Sequence, residues 1–168
     1  MLLRFTKGPL AAKADRLSCI RDDGTVTEGD MPRQGILPHD LFHFAVESTL
    51  GWRDAFFGAV ARGETLDQIA RKSAGRKPTW SVQALQAESL VECLQAEQWG
   101  GAADPATFQS TLETTCRRRG VAAPELTLAD LQRLRLALRE LGTAWRPLNP
   151  GHSLERRFPA GLMQDGVA

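Results

Sequence analysis

Between residues 37 and 47 the chain reads Leu37-Pro38-His39-Asp40-Leu41-Phe42-His43-Phe44-Ala45-Val46-Glu47, which puts two histidines and two carboxylates in one short stretch. On a helix, steps of four residues advance the face by only about 40°, so His39, His43 and Glu47 fall within about 80° of one another. Two imidazoles at that spacing can offer two nitrogens to one divalent cation, which is the geometric content of the H-E-x-x-H zinc motif. Here the motif is HDxxH. Asp40 stands where zincins carry Glu and is one methylene shorter, which argues against a protease that holds its water on that residue. The spacing predicts His39 and His43 as ligands of a divalent metal, zinc first, with Glu47 as the nearest oxygen ligand and Asp40 orienting a histidine from behind. Asp54, Glu88, Glu92 and Glu113 stand in reserve for the third position. The same residues fit two other readings: a hydrogen-bonded His–carboxylate network in the core, and metal-free acid–base work by a His–carboxylate pair.

The elements that must hold this stretch can be read from turn residues and period. Leu2 to Thr6 is expected as a strand, and Arg16 to Glu28 as a hairpin turning at Asp23-Gly24, with positive φ angles supplied by that pair. Pro32, Gly35 and Pro38 make Met31 to Leu37 a connector, and the strands are expected to end there. The period then becomes helical. A first helix is expected from about Pro38 to Leu50, stopping at Gly51, and a second from Arg53 to Ala61. A third runs from Thr65 to Lys72, and a fourth from Thr79 or Ser81 to Trp99. Asp104-Pro105 opens a fifth that ends at Gly120, with Phe108, Leu112 and Cys116 on one face. Thr127 to Asp130 opens a sixth whose stripe is Leu131, Leu134, Leu138 and Leu141, ending at Gly142. Ser153 to Phe158 can form a strand that completes the N-terminal sheet. The expected fold is α+β, a helical bundle with a small antiparallel sheet, in one domain over residues 1–168: hairpin region 1–35, helical region 38–142 and tail 145–168.

The run Leu37 to Glu47, followed by Leu50-Gly51 and by Gly58 in a Phe-rich second helix, resembles an uncharacterised family of small bacterial proteins with an LPHDLxHxxVE signature. That resemblance covers about residues 36 to 63. It implies a hairpin before the signature and a short strand in the tail, and it supplies no reaction. The HDxxH fragment is also similar to the zinc-associated motif of the ubiquinone-biosynthesis scaffold proteins, which place a further Glu twelve residues after the second His. That position is Ala55 here, so the resemblance implies a metal at His39 and His43 alone.

Composition narrows the classes. With 21 Lys plus Arg against 20 Asp plus Glu, the chain lacks the concentrated positive field that nucleic acid or an anionic membrane requires. Its most basic loop, Arg71 to Lys77, is the best remaining anion or RNA candidate, and Arg117-Arg118-Arg119 reads as a helix C-terminal cap. A chain of 168 residues buries roughly two thirds of its unfolded surface, so a metal would serve function rather than folding. Cys19, Cys93 and Cys116 are odd in number and widely spaced, which predicts core thiols in a reducing cytoplasm. No signal peptide is expected, and no stretch reaches the roughly 18 apolar residues of a membrane span. Phosphate-binding glycine loops and the G-x-S-x-G elbow are missing from the sequence. Two functions follow as expectations. One is a cytoplasmic divalent-metal-binding protein, as a hydrolase if it is an enzyme, working through metal-activated water. The other is a non-catalytic module for a protein partner, fixed by a buried His–carboxylate network. Trp80, Trp99 and Trp145 offer apolar surface that a homodimer could share.

Overall fold

The computed structural model describes residues 1–74 and 80–159. Among the described residues, strands β1 (Leu2–Thr6), β2 (Ala14–Ile20) and β3 (Val26–Pro32) precede six helices, and β4 (Ser153–Arg157) follows them. The sheet runs β3-β2-β1-β4 and every pairing is antiparallel. The tail strand therefore completes the sheet by pairing with β1, Leu2 opposite Arg157 and Thr6 opposite Ser153.

The hairpin turns where expected, but only Gly24 takes a positive φ, at 84°. Asp23 instead accepts from the Thr25 amide at 2.9 Å and from its hydroxyl. β3 also runs on to Pro32 instead of ending near Glu28. It lies at the sheet edge, where a proline's missing N–H breaks no ladder bond. β2 and β3 pair along their full length, Ala14 opposite Pro32.

Helix α1 (His39–Leu50) starts directly after Pro38 and closes on Gly51 at φ 68°. From Leu41 to Glu47 every residue is buried, so α1 is the central element of the fold and not a surface helix with one apolar face. Phe44 meets Phe5 of β1 edge-on at 6.3 Å, and Phe5 meets Phe57 of α2 (Phe56–Ala61) at 6.4 Å. The other flanks of α1 pack against α4 (Val82–Gly100) and α6 (Leu128–Trp145).

Helix α2 begins at Phe56, three residues later than its apolar pattern suggests. Ala55 is extended, at φ −126° and ψ −155°, which breaks the helical path before Phe56, and the amides of Arg53 and Asp54 are satisfied by the Gln83 side chain at 2.9 and 2.6 Å. Gly58 permits the fold-back: a Cβ there would lie 1.9 Å from the Arg53 carbonyl oxygen. α3 is Leu66–Ala74. α5 (Pro105–Arg118) is capped by Asp104, which accepts from the amides of Ala106 and Thr107. α6 is capped by the reciprocal Thr127–Asp130 box, and it passes through Gly142 to Trp145 because Trp145 extends the Leu134, Leu138, Leu141 stripe by one turn.

Trp145 is thereby buried in the core and Trp80 is half-buried, leaving Trp99 as the exposed one of the three at 68%. All three cysteines are buried and free. Among the described residues no helix is long and apolar enough to cross a membrane. Of the basic loop, residues 75–79 lie outside the described residues.

Candidate metal centre

α1 delivers both histidines to one point. His39 and His43 are one turn apart, their rings 4.8 Å between centroids, and their Nε2 atoms are 3.1 Å apart. The third group comes from α4. Glu88 Oε1 is 3.3 Å from His43 Nε2, and Glu88 Oε2 is 3.7 Å from His39 Nε2. His39, His43 and Glu88 are the group among the described residues whose ligating atoms converge closely enough to hold one ion. Bonds of about 2.1 Å in a tetrahedral shell place neighbouring ligand atoms about 3.4 Å apart. The observed separations straddle that value.

Each histidine is held from its other nitrogen. His39 Nδ1 faces the Gln95 side-chain oxygen at 3.4 Å, and His43 Nδ1 faces Glu47 Oε1 at 3.4 Å. Ring N–H groups held by a carbonyl or carboxylate fix the tautomer so that Nε2 is the free donor toward a cation, the support that metal-bound imidazoles receive.

Glu47 therefore stands elsewhere than in the expected ligand position. Its carboxylate is fully buried, and Oε2 accepts the amides of Phe57 and Gly58 at 2.9 and 3.2 Å at the start of α2. A four-residue step places it on the far side of His43, where it orients the ring. The reserve carboxylates separate as well. Asp54 pairs with Arg62, Glu92 with Arg118 and Arg119, and Glu113 accepts from Gln109. The Arg117–Arg119 run thus ties α5 to α4 through two of its residues.

Glu88 was readable only as one of several carboxylates. On α4 it shares a face with Ala84 and Gln95, and that face meets α1, but nothing in the periodicity says which helices will be neighbours. Asp40 is half-buried, directly after His39, and lines the cavity beside the group.

The charges are interlocked. Burial works against a charge on His43, yet the bonds to Glu47 and Glu88 outweigh it and raise its pKa to about 10. Burial likewise opposes ionisation of Glu88, but His43, His39 and Arg119 bring it down to about 2. His39 moves the other way, lowered by burial and by the neighbouring His43 cation. Burial raises the Asp40 pKa, with both histidines pulling against it. At neutral pH the metal-free arrangement is thus an imidazolium at His43 between two carboxylates, donating to a neutral His39.

The group borders a cavity, with His39 and Glu88 also partly exposed to solvent. A cavity of about 300 Å³ lies against His39, Asp40, His43 and Glu88, walled by Leu17, Phe56, Leu66, Ile69 and Trp80. Phe56 stacks at a tilt on His43, 5.3 Å between centroids. No protein-family model, curated protein or solved structure matches the chain.

Proposed function

We propose that the protein binds a divalent metal, zinc first, through His39, His43 and Glu88, and uses it as a hydrolase of small esters or amides. The observation that carries this reading is the convergence of two Nε2 atoms and one carboxylate, each imidazole held from behind, at the wall of an apolar cavity. Three protein ligands with the fourth side facing a cavity is the pattern of catalytic zinc, whereas structural zinc is closed by four protein ligands. A bound zinc ion would supply Lewis-acid activation of water. Asp40 lines the same cavity beside the group, and neither histidine leans on it. Glu47 and Gln95 keep the imidazoles aimed. This assigns Glu47 the orienting role and Glu88 the ligand role. The resemblance to HDxxH zinc motifs supports the same pair of histidines.

A second reading has its own support. Every buried side-chain polar atom among the described residues already has a partner, the His43–Glu47 pair included, so the cluster can also serve as a packing network in a non-catalytic module. Cobalt(II) separates the two. Titrated into metal-free protein, it is expected to give visible d–d bands of a four- or five-coordinate site, perturbed by azide at the open position and missing in Glu88→Ala. A featureless spectrum identical to aqueous cobalt, with the protein folded, would leave the packing network as the function of the cluster.

A further inference from the structure

The lining of the cavity specifies more than its size. Four carboxylates border it: Asp40 and Glu88 beside the histidines, Asp30 on β3 and Asp67 on α3. No Lys or Arg is among the described residues that line it. Asp30 has one basic neighbour, the exposed Arg16 at 3.7 Å, while neither Asp40 nor Asp67 has a Lys or Arg partner among the described residues. Glu88 is matched by the His43 imidazolium, and Asp30 and Asp67 are exposed. An anionic ligand would therefore pass two rim carboxylates and meet the half-buried Asp40 within, where like charges repel more strongly than in water. A cation would be met on both counts, by carboxylates around it and by aromatic rings on the wall.

Two of those walls are aromatic, Phe56 and Trp80, and the rest of the described apolar lining is aliphatic. Aromatic faces attract ammonium groups, and the attraction grows as the site is desolvated. The volume is at the lower end of the range for small-molecule sites, enough for one ring or a short branched chain. We infer that this cavity binds a small, largely apolar molecule carrying a protonated amine, and that such a molecule is the substrate class of the metal site. The second half of that statement rests on the metal reading above; the first half rests on the lining alone.

Three probes of one shape separate the possibilities: 2-phenylethylamine, 2-phenylethanol and 3-phenylpropanoate, cationic, neutral and anionic at pH 7. Each is titrated into metal-free and zinc-equilibrated protein while the Trp80 indole N–H is followed by NMR. In the metal-free protein the amine is expected to bind about tenfold or more tighter than the carboxylate, with the alcohol between. The Asp40→Asn, Asp67→Asn double variant is expected to erase that order. Ala70→Leu, at an exposed position of the rim, should weaken all three without unfolding the protein. Carboxylate binding as tight as amine binding overturns the charge assignment, and probes that leave Trp80 unmoved at millimolar concentration overturn the cavity as a ligand site. Either result can coexist with normal zinc uptake, in which case the metal reading survives. Amine binding without zinc uptake would instead remove the substrate role.

Discussion

Glu47→Gln is the substitution that separates an orienting carboxylate from a metal ligand. The wild-type carboxylate accepts two amides from the first turn of α2 through Oε2 and faces His43 Nδ1 through Oε1. A glutamine oxygen can keep both amides, so the fold is retained, at a cost of about 1–3 kcal/mol for the weakened buried contact. Its NH2 group, however, points a donor at Nδ1. The ring must then carry its proton on Nε2, the nitrogen a cation needs. Loss of such a supporting carboxylate typically lowers metal affinity about 10–100-fold. Glu47→Ala is harsher, because it strands two backbone donors and His43 together; at about 1–3 kcal/mol each the loss is about 3–9 kcal/mol. At about 2–4 °C per kcal/mol for a chain of this size, that is a fall in Tm of at least about 6 °C. Competition with a chromophoric chelator measures the zinc affinity, and thermal unfolding in EDTA measures the stability. Unchanged zinc affinity in a folded Glu47→Gln protein would refute the reasoning.

Three further outcomes are expected. Gly58→Ala should destabilise by about 2–4 kcal/mol, since its Cβ would lie 1.9 Å from the Arg53 carbonyl and overpacking against backbone cannot relax cheaply; urea unfolding measures it. In EDTA, the stability of wild type relative to Glu88→Gln should be greatest between pH 4.5 and 6.5. It should decline as pH rises toward about 10, because His43 is raised in the fold and its contribution is present below 6.5, and decline as pH falls toward about 2, because Glu88 is lowered. A flat difference across that range would show that the two groups do not interact. Cys19, buried with its thiol pushed up to about 12, should resist iodoacetamide at pH 8 until denaturant is added, which mass spectrometry of the labelled protein reads directly.

Local signals in the sequence carried most of the elements. Asp104-Pro105 and Thr127 with Asp130 declare their helix starts because the side chains that cap them lie within three residues of the amides they satisfy. The spacing of His39 and His43 likewise fixes their common direction on α1 without help from elsewhere. What the sequence could not show was supplied by distant partners. Gln83 reaches back 29 and 30 residues to satisfy the segment before α2, and Glu88 arrives at the histidines only because α4 packs on α1. Glu47 has the right spacing for a ligand, but the open amides at the start of α2 claim its carboxylate first. Helical spacing states which residues share a face, and the neighbour against that face decides what each one does.

The central claim is tested most directly by zinc stoichiometry. Untagged protein is equilibrated with zinc, dialysed against metal-free buffer and analysed for bound metal, alongside His39→Ala, His43→Ala, Glu88→Ala and the control Glu92→Ala. The expected result is stoichiometric zinc in wild type and Glu92→Ala, with little or none in the three site variants while their circular dichroism remains that of a folded protein. Zinc retained in full by folded Glu88→Ala, or none bound by the wild type, would contradict the assignment of His39, His43 and Glu88 as a metal centre.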